Sequence, residues 1–507
     1  MSPMHSYRLI TSHSGVSDCG KQKLMLLLVS LLFFASCDRS TPQEMDNTDQ
    51  VQETAVIEDT GLLGCDGMDS AFEALVTFME SELAKNDVPG AAVGIVCDGR
   101  LAYTYSWGVT HHQSGDPITA STRFQLASTT KMFTAATALS LVEEGTVSLF
   151  EPVSTYVPYT NTSAPYEETM TLHELLSHSA GYPTYFPDGS FASYDLDTFF
   201  ENNAEQPLWS PPGVLYNYSN LGMSLAGLVL QEATGKKFAE LVETRIFNPA
   251  GMDGASMHAT VVESTGNFAY GHSGSAASPT VTSPTDSYYP TEYYGPMGGA
   301  WGSVEDLARW SEVHLQGGKE VLSASAMGEL RTPQIATRKF PLQSYGYGLF
   351  IDSIYGYDLV HHSGSVGGYL TSWLMVPEAD FSVVAVTNCD WYYPTSIAYE
   401  ALDLFVGISS IDLSPYLTNQ EDWPQFEGTY LDPVSLGTIH ITVDGSSLVA
   451  DFVDQGVVAE LMGYYQETYY LWYEPTGSWL YLSFWPDEEG KKTQYLVSLY
   501  GVATRTD

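Results

Sequence analysis

Ser128-Thr129-Thr130-Lys131 limits what this chain can fold into more than any other stretch. The residues after it have helical spacing: Met132, Ala136, Leu139 and Val142 share one apolar face, and Gly145 ends the run. Ser128 then sits in the first turn of a buried helix, where free N–H groups and the helix dipole favour developing negative charge. A residue three places on lies one turn further along the same face, so Lys131 reaches the Ser128 hydroxyl. Burial lowers the pKa of such a lysine and leaves a neutral amine able to take the serine proton. The bland alternative is an exposed serine and lysine on a helix surface. The chain has few lysines, however, and shows this spacing once. A fold carrying the pair must bury the helix and keep its first turn open to a substrate.

At 507 residues the chain exceeds one ordinary domain. Lys21 and Lys23, the apolar run from Leu24 to Phe34 and then Ala35-Ser36-Cys37 have the form of a secretory signal, too short for a permanent membrane span. Its end resembles a bacterial lipoprotein lipobox. That resemblance implies a signal peptide over residues 1–37, cleavage before Cys37, lipidation of Cys37, and anchoring on the periplasmic or extracellular face of an envelope membrane. Residues 38–65, rich in Asp, Gln, Thr and Glu, read as a flexible acidic tether.

From Ser70 the pattern is helical, with Phe72, Leu75, Val76, Met79 and Leu83 on one face. Pro89-Gly90 ends it. Ala91 to Val96 reads as a buried strand, Asp98-Gly99 as a hairpin turn, and Leu101 to Trp107 as the returning strand. A helix folded back on the first strand, each roughly 20–25 Å long, brings Cys65 near Cys97, so a disulfide between them is expected in an oxidising compartment. Residues 66–410 are read as one domain. Within it Ser273 to Gly299 reads as a long surface excursion, and Tyr345 to Asn388 returns to strand. A second domain is expected over 422–507. There Ile439, Ile441 and Val443, then Leu448, Ala450 and Phe452, alternate with polar residues about an Asp444-Gly445 turn. The fold class is α+β, with a small antiparallel β-sheet or barrel domain at the end.

Phe124 to Lys131 resembles the active-site segment of serine β-lactamases, especially class C enzymes and their D,D-peptidase and esterase relatives. The resemblance covers roughly Phe72 to Phe405. It implies the β-lactamase/transpeptidase-like fold, an antiparallel sheet flanked by helices with a helical subdomain. It also implies a Tyr-x-Asn and a Lys/His-x-Gly motif, and each has two candidates. Tyr159-Thr160-Asn161 lies in a loop, whereas Tyr218-Ser219-Asn220 follows Pro211-Pro212-Gly213 and opens a helix with Leu221, Leu225, Leu228 and Val229 on one face. His272-Ser273-Gly274 lies in the excursion, whereas His362-Ser363-Gly364-Ser365 precedes a strand from Tyr369 to Val376. Tyr218 and His362 are therefore chosen. By resemblance Tyr218 shuttles protons, Asn220 bonds Lys131 and the substrate amide, Gly364 lets backbones approach, and the Ser128 and Ser365 N–H groups form an oxyanion hole. Thr171 to Gly181 and Gly298 to Arg309 match further family stretches, read as scaffold.

Sixty-one acidic residues against 19 basic give a net charge of −42, which disfavours nucleic acid and adhesion to anionic lipid. No CxxC pair or His/Cys cluster suggests a metal, and no cofactor is implied. The leading reading is a serine acyl-transfer hydrolase acting on a D-peptide, carboxypeptidase- or aminopeptidase-like, or on an ester. Histidine at position 362, where enzymes dedicated to β-lactams carry lysine, weighs against a true β-lactamase. The rivals are that β-lactamase, a penicillin-binding sensor that acylates once, and a non-catalytic binding scaffold.

Overall fold

The computed structural model describes residues 56–59 and 67–507, apart from 114, 159–160, 164–169, 185–194, 204, 287–291, 410–418, 434–435, 466, 474–477, 487–491 and 499–500. The signal and lipobox, Cys37 included, lie outside the described residues.

Nine antiparallel strands form the central sheet. From one edge they run Val56–Asp59, Arg100–Gly108, Gly90–Cys97, Phe381–Thr387, Tyr369–Val376, Tyr357–Val366, Phe350–Ile354, Gln343–Tyr345 and Ile335–Ala336. Helices cover both faces, which is why the central strands read as continuous apolar runs rather than alternating ones. On one face the helix Asp69–Lys85 buries Phe72, Leu75, Val76, Met79 and Leu83 beside Ile397 and Leu402 of the helix Thr395–Val406. Each such burial contributes about 1.5–3 kcal/mol of transfer free energy. On the other face Ala92, Val384 and Val386 meet the helix Val304–Leu315 through Val304, Leu307 and Trp310. The same core holds the helices Thr130–Glu143 and Asn220–Thr234 of the helical subdomain.

Two expectations change. Val56–Asp59, assigned to the tether, pairs antiparallel with Tyr103–Ser106. The outer edge of the Arg100–Gly108 strand offers unpaired N–H and C=O groups, and this short segment takes them up. The Ser273–Gly299 excursion is only partly superficial. Its last third turns inward, burying Tyr293 and Met297 and forming the short helix Gly295–Gly298 against the serine helix. Its Gly, Pro and Tyr content signals turns, and nothing in it signals depth.

Cys97 is disulfide-bonded, and Cys389, buried, is a free thiol. The expected partner, Cys65, lies outside the described residues.

The carboxy-terminal strands, from Gly428–Asp432 to Val502–Arg505, close into an eight-stranded antiparallel barrel, the last pairing with the first at Tyr430 and Arg505. Eight strands leave an interior that side chains can fill. Tyr430, Ile439, Ile441, Leu448, Phe452 and Phe484 fill it. Outward-facing Trp485, Tyr495, Val497 and Val502 belong instead to the core of the larger unit, so the barrel is docked on it. Among the described residues no helix is long and apolar enough to cross a membrane.

Candidate active site

Ser128 lies in a 3-10 turn, Ala127–Thr129, that leads into the helix Thr130–Glu143. The residue before it, Ala127, has φ of +49°, a left-handed backbone that alanine adopts only under constraint. Three contacts supply the constraint. Thr129 Oγ1 donates to the Leu126 carbonyl at 2.7 Å, Leu126 N–H donates to the Ala300 carbonyl at 2.8 Å, and Phe124-Gln125 pairs with Trp301-Gly302. The third motif presses from the other side. A Cβ at Gly364 would stand 2.1 Å from the Leu126 carbonyl oxygen, so only glycine lets this strand lie against the serine turn. Gly348, in a left-handed conformation with φ of +71°, approaches the Lys131 carbonyl in the same way.

Lys131 is fully buried. Its Nζ lies 3.1 Å from Ser128 Oγ, 2.8 Å from Asn220 Oδ1 and 2.7 Å from the Met297 carbonyl oxygen, and stands 4.8 Å over the Tyr218 ring. Burial holds its pKa well below the ordinary lysine value. A neutral amine has two N–H donors and one lone pair. Asn220 Oδ1 and the Met297 carbonyl, which can only accept, take the two donors. The lone pair is left for the Ser128 hydroxyl proton.

Asn220 opens the helix Asn220–Thr234, with Ser219 as its cap: Ser219 Oγ accepts from Gly222 N–H at 2.8 Å. The Tyr218 loop is clamped by the stretch that sequence assigned to scaffold. Ser219 N–H donates to His178 Nδ1 at 3.1 Å, Ser219 Oγ donates to the Pro183 carbonyl at 2.7 Å, and Asn217 Nδ2 donates to the Tyr182 carbonyl at 3.1 Å. The His178 ring packs 4.4 Å from that of Tyr218. Because Nδ1 accepts, the proton is on Nε2, which has no hydrogen-bond partner among the described residues. Burial, with the nearby Lys131, lowers the His178 pKa, so the ring is neutral.

His362 sits on the strand Tyr357–Val366, opposite Trp373, and is almost fully buried. Its Nε2 lies 3.1 Å from the Tyr345 hydroxyl and its Nδ1 lies 2.7 Å from the Ser363 carbonyl. Tyr345 is kept protonated by burial, so it donates to Nε2 while Nδ1–H donates to Ser363. Burial and Lys131 push the His362 pKa down to about 3. It is therefore a neutral group at pH 7 and holds no anion by charge. Ser363 and Ser365 point their side chains to solvent, and Tyr393 hydrogen-bonds Ser365.

Ser128, Lys131, Tyr218, Asn220 and His362 are thus gathered in one cluster, with the His362 ring 6.4 Å from that of Tyr218. Of the rejected candidates, Tyr159 and Thr160 lie outside the described residues. His272 is buried on a separate two-stranded ribbon, its Nδ1 2.8 Å from the Asn388 carbonyl. Sequence missed the Met297 carbonyl, which no side chain advertises, and also Tyr345 and Tyr393. It named His178 without giving it a task. Among the described residues no cluster of His, Cys, Asp or Glu can hold a metal ion.

Comparison with known proteins places the chain in a family. The chain is 26% identical to D-aminopeptidase of Gluconobacter oxydans (strain 621H) over 373 residues, 72% of this chain and 67% of that protein. It is 25% identical to Protein flp of Staphylococcus aureus (strain NCTC 8325 / PS 47), over 62% of this chain and 63% of that one. It therefore spans about two thirds of the length of these relatives. The octameric penicillin-binding protein homologue from Pyrococcus abyssi superimposes with a TM-score of 0.60 at 24% identity, covering 85% of this chain and all of that one, a likeness of fold. The model of the family described as Beta-lactamase matches residues 69–397, which include the serine turn, the Tyr218 loop and the His362 strand, and the chain belongs to that family of serine hydrolases.

Proposed function

We propose that this chain is a serine acyl-transfer hydrolase that works through an acyl-enzyme on D-peptides, aminopeptidase- or carboxypeptidase-like, or on esters. The observation that carries the reading is the buried Lys131 Nζ, which has no carboxylate partner among the described residues, is held by Asn220 Oδ1 and the Met297 carbonyl, and lies 3.1 Å from Ser128 Oγ. In the proposed cycle Ser128 Oγ bonds to the substrate carbonyl carbon and its proton passes to Lys131. The backbone N–H groups of Ser128 and Ser365 hold the oxyanion. Tyr218 relays the proton to the leaving nitrogen or oxygen as its bond to carbon breaks. Water then adds its hydroxyl to the acyl carbon, the bond from that carbon to Ser128 Oγ breaks, and the water's other proton returns to Oγ.

The neutral His362 supports esters and aminopeptidase-like D-peptide substrates, whose reacting bond has no carboxylate beside it, over β-lactams and carboxypeptidase substrates, whose carboxylate gains no charge partner there. The name of the Gluconobacter relative points the same way. A panel of p-nitrophenyl esters, D-Ala-D-Ala and D-amino-acid amide peptides, and a chromogenic cephalosporin, run on wild type and Ser128→Ala, tests it. Turnover of an ester or D-peptide that is lost in Ser128→Ala is expected. No turnover of any substrate refutes the hydrolase, and stoichiometric labelling by a fluorescent penicillin without turnover favours the sensor. We further propose that Cys37 carries a lipid anchor holding the enzyme on an envelope membrane. Release of the protein by Cys37→Ser is the expected result, and unchanged membrane retention would contradict it.

A further inference from the structure

Lys85, Lys236, Lys237 and Lys319 each pair with a glutamate. Lys131, Lys339 and the exposed Lys492 have no carboxylate partner among the described residues, and of these only Lys131 has a task. Lys339 lies in the loop between the strands Ile335–Ala336 and Gln343–Tyr345, at the seam between the larger unit and the barrel. Its ammonium is set over two rings, Tyr216 of the larger unit at 5.2 Å and Tyr481 of the barrel at 4.4 Å. Ring faces attract a cation without neutralising it.

The barrel fixes this loop. Thr468 Oγ1 donates to the Arg338 carbonyl at 2.6 Å, and the Arg338 guanidinium lies 3.8 Å from Glu467 and 5.1 Å from the Trp485 ring. Arg338 and Leu342 both have positive φ, so the loop is held in a form it would not choose alone. Inward, the Tyr216 ring is 5.6 Å from Tyr345, whose hydroxyl bonds His362. The uncompensated cation, itself only partly buried, therefore stands beside the Tyr216–Tyr345 aromatic wall on the His362 side of the site.

We propose that Lys339, between Tyr216 and Tyr481, is an anion subsite that takes a carboxylate of the substrate, set further from the reacting carbonyl than His362 reaches. The barrel then supplies one wall of the substrate site. Burial holds the Lys339 pKa down to about 7, the mark of an ammonium short of compensation, and an incoming carboxylate relieves it. The inference rests on the hydrolase reading and deepens it to acidic substrates.

The test uses the full chain and three chromogenic esters: p-nitrophenyl butyrate, p-nitrophenyl hydrogen glutarate with the acid on the acyl side, and 3-carboxy-4-nitrophenyl butyrate with the acid on the leaving side. In Lys339→Met the ratio of kcat/KM for an acidic ester over the neutral one falls about 10-fold for at least one acid, as for loss of one charged hydrogen bond. Lys339→Arg keeps most of that preference. Tyr481→Ala, on the barrel, lowers the same ratio. Equal loss on all three esters, or no change in either ratio, overturns the subsite and marks Lys339 as a packing residue. If wild type hydrolyses neither these three esters nor the D-peptides of the panel, it is the hydrolase reading that fails.

Discussion

Gly364→Ala is the sharpest perturbation of the serine turn. The added Cβ would lie 2.1 Å from the Leu126 carbonyl oxygen and 3.2 Å from Ala127 Cβ, while contacts under 3.0 Å essentially never occur. Strand and turn must therefore separate by about 0.9 Å, and neither neighbour is a flexible side-chain end. Leu126 is tied to Ala300, and Ala127 is already left-handed, so the shift passes to Ser128 and to the spacing of the Ser128 and Ser365 amides. A displacement near 1 Å costs on the order of 100-fold in rate, and overpacking costs about 1–3 kcal/mol of stability. Stopped-flow acylation with a p-nitrophenyl ester should show kcat down about 100-fold, KM little changed, and Tm lower by a few degrees. Gly328→Ala is the control. It sits on the helix Ala324–Leu330 with nothing within 4 Å of its added Cβ, and should keep full activity. A Gly364→Ala enzyme with kcat within about threefold of wild type would show that the strand does not set the turn.

Lys131→Arg keeps a charge but supplies no neutral amine, so kcat/KM should fall at least about 10³-fold at every pH measured. Because burial lowers the Lys131 pKa, wild-type kcat/KM should decline as pH drops through that pKa and the amine takes a proton. His362, neutral above about pH 3, contributes nothing to that limb, so a pH–rate profile of His362→Gln should keep its midpoint while its amplitude falls. His178→Ala strands the buried Ser219 N–H and costs about 1–3 kcal/mol, with kcat reduced more than KM is raised. His178→Asn, which retains an acceptor, should recover part of the loss in the same assay. Removing the Cys97 disulfide with Cys97→Ser should cost about 2–4 kcal/mol in thermal or denaturant unfolding.

Elements whose residues carry their own periodicity were legible. The five apolar positions of the first helix are the five it buries, and the Tyr369–Val376 strand has the expected ends. Both motif choices rested on what followed the motif, a helix after Tyr218 and a strand after His362, and the two rings lie 6.4 Å apart beside Lys131. Backbone contributions were not legible. The Met297 carbonyl has no chemical signature in sequence, and its inward turn depends on packing with Thr134, whose hydroxyl donates to the Pro296 carbonyl at 2.6 Å. Val56–Asp59 has tether composition around it, and only an open sheet edge gives it structure. His178 looked like scaffold because its effect on Tyr218 passes through the Ser219 amide and a ring contact, neither of which a linear spacing encodes.

The most direct measurement of the central claim is the mass and position of the trapped covalent intermediate. The enzyme is mixed with a slowly deacylating ester, quenched in acid within milliseconds to seconds, and peptide-mapped by mass spectrometry. One acyl group on the peptide bearing Ser128, absent in Ser128→Ala and slow to form in Lys131→Arg, is the predicted result. An acyl group on another residue, or ester hydrolysis that persists at the wild-type rate in Ser128→Ala, would contradict it.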